Sequence, residues 1–191
     1  MATKFEIRTE AERYIHNDLS GCSRDFQQRT QKQFDNGDTE GVYHNMMASL
    51  VFSAFSIEAK VNFVGWKVLE NGWPDRANLR EKIDLLQSVL TLELDWGTRP
   101  LQTVLQLKRF RDTLAHGKPE VVDNKAVMDV VPEVWDALKG QWEASVNLPF
   151  VNRCREDEDA LWKALIGAAG IEVHQTVTHG GHSLKAISEP M

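Results

Sequence analysis

Residues 109–119 read RFRDTLAHGKP, and they bring Arg111, Asp112 and His116 within six consecutive positions. Histidine suits proton transfer because its pKa lies near neutrality. Arginine suits a phosphate ligand because its planar guanidinium group is permanently charged and donates in a fork. Side chains of these types are the ones that RNA cleavage through the 2′-hydroxyl needs when no metal ion takes part.

The helix that must position these residues is predicted to begin near Thr98 and Pro100 and to end at His116, since Gly117 follows. At about 100° per residue, Arg111 falls inside the apolar arc of this helix. Arg109 falls on its polar side and faces solvent. The pattern therefore predicts an inward arginine beside a histidine at the helix end.

A long helix over residues 41–70 precedes it and is predicted to be the central helix, since most of its surface is apolar. Glu58 and Asn62 lie one turn apart on its apolar side. A buried carboxylate is costly unless it is paired. We therefore expect Glu58 to contact Arg111, or both to face a shared polar cleft; a plain buried ion pair is the structural alternative. The solvent-facing stripe is predicted to comprise Ser49, Ser53, Ser56, Lys60 and Lys67.

Further helices are predicted from local start signals. A capping box at Thr9–Glu12 predicts a helix over residues 10–34, with Gly21 as its weak point, and Asn78–Glu81 predicts one to about residue 91. Pro132 and Asn152 suggest starts of helices that end near residues 147 and 169. The pattern indicates an all-α fold, an up-and-down bundle of four to six helices.

The last residues differ from the rest, because β-branched side chains flank Gly180-Gly181 and allow a short C-terminal β-hairpin. We divide the chain into a bundle over residues 1–147 and a helical extension with a tail over 148–191. His174, His179 and His182 could ligate zinc, but their spacing matches no standard site, so a solvated tail is favoured and no metal is expected. The six tryptophans are interpreted as packing residues rather than a base-stacking platform.

Composition sets further bounds on function. The 191 residues carry a net charge of −6, which argues against general nucleic-acid binding, so RNA contact would need a local basic patch. Lys108, Arg109 and Lys118 surround the motif and supply one. Cys22 and Cys154 are predicted to be free thiols. The first residues lack a signal-peptide pattern and residues 46–66 are interrupted by polar groups, so we expect a cytoplasmic protein with no membrane contact.

The segment from Arg111 to His116, an arginine and a histidine separated by four residues and followed by Gly117, resembles the HEPN superfamily of small helical bundles. Asp112 fits the polar residue that usually follows the arginine in that family. The apolar helix MMASLVFSAFSIEAKVNFVGW is similar to the long second helix of its members. The resemblance covers roughly residues 40–147.

The resemblance implies an endoribonuclease that needs neither a metal ion nor another cofactor. It also implies a homodimer in which the two copies of the motif face one cleft. Arg111 would hold the scissile phosphate, His116 would transfer protons, and Asp112, Glu58 and Asn62 would position them. By the same analogy the protein would be a toxin or defence protein with an antitoxin partner. The alternative is a non-catalytic helical module for dimerisation or RNA binding.

Overall fold

The computed structural model of the chain describes residues 4–123 and 138–187. It is mainly helical, with a small two-stranded sheet. In the described residues the elements are β1 (Lys4–Glu12), α1 (Ile15–Asp35), α2 (Val42–Leu69), α3 (Leu79–Leu90), α4 (Leu101–His116), the short α5 (Gln141–Ala144), α6 (Leu148–Ala168) and β2 (His179–Ile187). Single 3-10 turns lie at Glu70–Gly72 and Val173–Thr176.

Two of the predicted helix boundaries rest on local capping, and both are confirmed. The Asn78 side chain accepts a hydrogen bond from the Glu81 backbone N–H, and the Glu81 carboxylate accepts one from the Asn78 backbone N–H. These bonds satisfy amide groups that the first turn of a helix leaves without partners. Gly117 ends α4 in the left-handed conformation with φ of 53°, which glycine adopts without steric cost.

Helix α2 lies at the centre of the bundle and contacts α1, α3, α4 and α6. Hydrogen bonds between Ser23 and Ser49 and between Lys60 and Ser20 show that α1 runs antiparallel to α2. The core is built mainly from aliphatic side chains, as close packing favours, and its fully buried members include Leu50, Val61, Val64, Ile83, Leu86, Leu101, Leu107 and Leu165.

Helix α2 and the 3-10 turn that follows it, Val42–Gly72, are long and apolar enough to cross a membrane, with a mean hydropathy of 1.3 over an apolar window of 18 residues. Of the apolar window, 56% is buried inside the molecule. A helix that is hydrophobic nearly all round suits the middle of a bundle as well as a membrane. Its central packing position fits a soluble helical protein.

The predicted helix start at Thr9–Glu12 is wrong, because these residues belong to strand β1. Strand β1 pairs antiparallel with β2, so that Ile7 lies opposite Leu184 and Glu12 opposite His179. The strand structure expected around Gly180-Gly181 is present, but its partner strand comes from the other end of the chain. Helix α1 then begins at Ile15 and continues through Gly21 without a break.

Helix α6 begins four residues before the predicted start. Asn147, not Asn152, is the N-cap, and its side chain accepts a hydrogen bond from the backbone N–H of Phe150 at 2.8 Å. Residues of α6, predicted from the sequence to lie in an extension, belong to the same hydrophobic core as the bundle. Of the helix predicted from Pro132 to residue 147, residues 132–137, which include Trp135, lie outside the described residues, and the described remainder contains the short α5.

The solvent-facing stripe predicted on α2 is wrong for four of its five residues, since Ser49, Ser53, Ser56 and Lys60 are all buried. Ser49 donates to the backbone oxygen of Ser23 in α1 at 2.9 Å. For the other three the reason is Glu158 of α6, which is only 1% exposed. Its carboxylate accepts hydrogen bonds from Ser53 and Ser56 at 2.7 Å and from Lys60 Nζ at 2.6 Å. A polar face can be buried when another helix supplies the matching acceptor.

Candidate functional site

The predicted catalytic residues lie on the last turns of α4. The Arg111 side chain is 27% exposed, so it is neither sealed in the core nor free in solvent. Arg111 lines a small cavity together with Ala54 and Ile57 of α2, and its guanidinium carbon is 5.8 Å from the centre of the Phe55 ring. Arginine commonly packs its stem on apolar surface in this way and keeps its charged end accessible.

The expected contact between Glu58 and Arg111 is present. Arg111 Nη2 donates to Glu58 Oε2 at 3.1 Å, and this ion pair joins α4 to α2. Arg111 Nη1 lies 3.2 Å from Asp112 Oδ1, and Lys108 Nζ donates to Asp112 Oδ2 at 2.6 Å. The four side chains alternate in sign, so two carboxylates hold two cations at a partly exposed position.

His116 is the last residue of α4 and is exposed. Within the described residues its side chain makes no hydrogen bond or ion pair, and none joins it to Arg111. Five residues correspond to a rotation of about 140° and a rise of about 7.5 Å along a helix, so the two side chains leave α4 in different directions. Within one chain, therefore, Arg111 is held in place and His116 is free.

The three predicted substrate-binding cations differ in how they are engaged. Lys108 is committed to Asp112. Arg109 and Lys118 are exposed, and across residues 4–123 and 138–187 no carboxylate pairs with either. The structure thus brings together Lys108, Arg111, Asp112 and Glu58, and leaves Arg109, Lys118 and His116 available around them.

Asn62, predicted to support the site, instead takes part in a neighbouring cavity. Its side-chain oxygen accepts a hydrogen bond from the Trp73 indole N–H at 3.3 Å. The cavity has a volume of about 450 Å³ and is lined by the rings of Tyr14, Phe63, Trp66 and Trp73. The sequence predicts that the tryptophans are packing residues; Trp73 is buried, but Trp66 is 51% exposed. The signal available in the sequence was Asn62 and Trp66 at a spacing of four on one helix.

His16 forms a wall shared by this cavity and a second one, of about 280 Å³, that Lys60 and Arg155 also line. The His16 ring is buried against Phe63 and Trp162. Burial and, to a smaller extent, the charge of Lys60 lower the pKa of His16, a hydrogen bond with the Thr176 backbone opposes both, and the resulting pKa is about 4. Within the described residues His16 Nε2 has no hydrogen-bond partner, so a neutral imidazole is present with one nitrogen unused.

The sequence contains two other groups of potentially reactive side chains, the three histidines near the C-terminus and the two cysteines. In the part of the chain that the structure describes, no three histidine, cysteine, aspartate or glutamate side chains come together as a metal site, and this includes His174, His179 and His182. Cys154 is buried, and burial raises the pKa of its thiol, so the reactive thiolate form is disfavoured. Cys22 is a second free thiol.

Comparisons of the chain with family models, with curated proteins and with solved structures gave no significant match.

Proposed function

We propose that the chain is a metal-independent endoribonuclease of HEPN type that works as a homodimer. The observation that carries the proposal is the state of the motif at the end of α4. Arg111 is oriented by Glu58 at 3.1 Å and remains partly exposed, and His116 at the helix end, like Arg109 and Lys118, has no ion-pair partner among residues 4–123 and 138–187. A positioned cation and an accessible imidazole are the two kinds of group that the chemistry needs.

In the proposed reaction the 2′-hydroxyl oxygen attacks the adjacent phosphorus and its proton passes to a histidine base. The bond from phosphorus to the 5′-oxygen breaks, and that oxygen takes a proton from a histidine acid. The products are a 2′,3′-cyclic phosphate and a 5′-hydroxyl end. Arg111 stabilises the charge on the phosphorane oxygens, since the interaction strengthens as that charge develops.

Arg111 retains capacity for this role although carboxylates surround it. A guanidinium has five N–H donors, and Glu58 and Asp112 engage one donor group each. The remaining donors can contact phosphate oxygens. The carboxylates restrict the rotamers of the arginine, so less conformational entropy is lost when substrate binds.

A homodimer supplies what one chain lacks. A single motif provides one histidine, whereas the reaction uses a base and an acid. Two-fold symmetry places two copies of His116 across one cleft, where one takes the first proton and its mate gives the second. An antitoxin protein as a further partner, and a cytoplasmic location, rest on the family analogy and on the sequence pattern.

The second candidate is a non-catalytic helical module for dimerisation or RNA binding. It is favoured by the charge balance around Arg111. Glu58 and Asp112 offset the charges of Arg111 and Lys108, so that, in the described part of the chain, Arg109 and Lys118 are the cations of the site without a carboxylate partner. Such a surface could retain RNA without neutralising a transition state.

The decisive experiment compares purified wild type with His116→Ala on single-stranded RNA in the presence of EDTA. We expect the substitution to reduce the cleavage rate by about 10²–10⁴-fold, the usual contribution of a general acid or base. The dimer and the fold should be unchanged, because His116 is exposed and unpaired within the described residues. Cleavage products carrying 2′,3′-cyclic phosphate ends would identify the 2′-hydroxyl as the nucleophile.

His44→Ala is the matched control, because His44 is also exposed but lies at the start of α2, away from the motif. It should cleave as wild type does. Equal cleavage by wild type and His116→Ala would identify a contaminating nuclease and reject the proposal. RNA retention without cleavage by either protein would establish the binding module instead.

A further inference from the structure

The cavity beside Asn62 has flat aromatic walls and an open mouth. Tyr14 packs edge-on against Phe63, with ring centres 4.9 Å apart, and Trp66 lies half-exposed at the rim. Large aromatic surface left accessible in a cavity of about 450 Å³ is characteristic of a ligand site rather than of ordinary packing. Aromatic walls favour a flat, aromatic occupant, because every ring presents a face for stacking.

Two polar groups occur among these rings, and both have unused hydrogen-bonding capacity. The Asn62 oxygen is engaged by Trp73, which leaves the Asn62 amide N–H₂ as a donor. His16 is 3% exposed, and its Nε2 is without a partner among the described residues. This nitrogen has less than 1 Å² of accessible surface, so the Asn62 amide is the group that an occupant of the cavity can reach. A ring occupant should therefore carry hydrogen-bonding groups on its edge, as nucleobases do.

Asn62 and Trp66 of the cavity lie about one and two helical turns beyond Glu58, the partner of Arg111. The three residues follow one another at intervals of four. From Glu58 to Trp66 the helix rises about 12 Å, and each interval turns the side-chain direction by about 40°, so Trp66 is rotated by about 80° from Glu58. A single strand of RNA that contacts Arg111 would follow this turn of α2 to reach the cavity.

We propose that this aromatic cavity binds one unstacked nucleobase of a single-stranded RNA, stacked on the half-exposed ring of Trp66 and against the Asn62 amide. The inference rests on the proposed function and specifies its substrate as an RNA whose bases are free to leave the stack. Duplex RNA is excluded from this subsite, because its bases are stacked and paired.

The residues at the mouth of the cavity carry balanced charges, which is compatible with entry of a nucleobase rather than of a phosphate group. Glu12 lies 3.5 Å from Lys67 Nζ, and Lys67 Nζ itself lies over the rings of Trp66, Tyr14 and Phe63, at 5.2, 5.4 and 5.8 Å from their centres. Arg13 and Asp75 complete the rim, so cations and carboxylates are equal in number. Binding there should depend on stacking and edge contacts more than on phosphate attraction.

The test uses the full-length protein and 2′-O-methyl octanucleotides of A, C or U, which cannot be cleaved through a 2′-hydroxyl. We expect Trp66→Ala to weaken binding of at least one single strand by about 5- to 150-fold, the range for loss of one base-stacking contact. Trp66→Phe should restore most of the affinity. Affinity for the A·U duplex should be the same in all three proteins.

Trp96→Ala is the matched control, since Trp96 lies outside the cavity and bonds to Asp84; it should bind as wild type does. Equal single-strand affinity for wild type and folded Trp66→Ala would overturn the proposal. AMP, CMP or UMP binding as tightly as the octanucleotide would overturn RNA as the occupant. Cleavage of unmodified RNA is measured separately. Binding that depends on Trp66, without cleavage, would support the aromatic cavity as a base-binding site and reject the nuclease. Cleavage together with binding that does not depend on Trp66 would support the nuclease and reject the base-binding site.

Discussion

Lys60 of α2 and Glu158 of α6 form an ion pair of 2.6 Å in which both side chains are buried. Burial raises the pKa of Glu158, but Lys60 and the hydroxyls of Ser56 and Ser53 lower it more, so the pKa lies below its usual value. Ser20 of α1 donates to the same carboxylate at 3.2 Å. Three helices are thus connected through one charged group.

Replacing that carboxylate should be among the most destabilising single changes in the chain. Glu158→Gln leaves the Lys60 ammonium buried without an opposing charge, which typically costs about 3–5 kcal/mol of unfolding free energy. Urea unfolding followed by circular dichroism measures it. Glu156→Gln is the control, since Glu156 lies two residues earlier on α6, is exposed and pairs with a half-exposed arginine, Arg99, so its replacement should have little effect. Similar losses in both variants would contradict the assigned role.

Acid should weaken the protein through His16 before it affects the carboxylates. The folded pKa of His16, about 4, is below its unfolded value of 6.5, so between these values the unfolded chain binds a proton that the folded chain does not. Stability is therefore present above pH 6.5 and falls as pH drops towards 4. Between pH 7 and pH 5 the expected loss is about 2 kcal/mol.

The measurement is urea unfolding of wild type, His16→Phe and His44→Gln at both pH values. His16→Phe keeps an aromatic ring beside Phe63 and Trp162 but removes the titrating group. It should lose much less stability than wild type on acidification, whereas His44→Gln should keep the wild-type loss. A wild-type pH dependence in His16→Phe would assign the effect to another group.

Replacement of Arg111 tests whether its ion pair with Glu58 serves stability or RNA cleavage. Because both side chains are about a third exposed or less, solvent screens the pair, and Arg111→Ala should cost only about 1 kcal/mol of stability. RNA cleavage should fall by about 10²–10³-fold, as for loss of one transition-state donor. The cleavage rate of Arg111→Lys, which keeps the positive charge but lacks the two-pronged guanidinium group, should lie between those of wild type and Arg111→Ala.

The readouts are kcat/KM and thermal unfolding on the same preparations, with the exposed Arg76→Ala as a control for removal of one arginine. A large loss of stability together with activity in Arg111→Ala would make the pair structural. Wild-type cleavage in stable Arg111→Ala would exclude the arginine from the reaction.

Gly65 of α2 allows Trp73 to reach Asn62. A Cβ atom at this position would lie 2.3 Å from the Trp73 ring, so Gly65→Ala must displace the buried indole and weaken its bond to Asn62. Overpacking of this kind costs about 1–3 kcal/mol. Gly167→Ala is the matched helical control, because no atom lies within 4 Å of its Cβ; it should be neutral or stabilising. Thermal unfolding of both variants tests this: the melting temperature should fall for Gly65→Ala and should stay the same or rise for Gly167→Ala.

The helix ends that could be predicted are those whose hydrogen bonds are local. The capping box of Asn78 and Glu81 and the left-handed Gly117 involve residues three or four apart, so the sequence contains all the interacting groups. The same local logic failed at Thr9–Glu12. There, pairing with residues 179–182 gives the backbone hydrogen bonds that a helix would otherwise supply.

The sequence by itself determined that the chain is helical, that α4 ends at His116 and that Glu58 and Arg111 are expected to meet, because helical periodicity and local caps decide these features. Only the tertiary structure decided which polar residues of α2 are buried. Ser53, Ser56 and Lys60 look like a solvated face until Glu158, about 100 positions later, is brought against them. The cavity between Tyr14 and Trp66 likewise exists only once β1, α1 and α2 meet, since its walls share no local pattern.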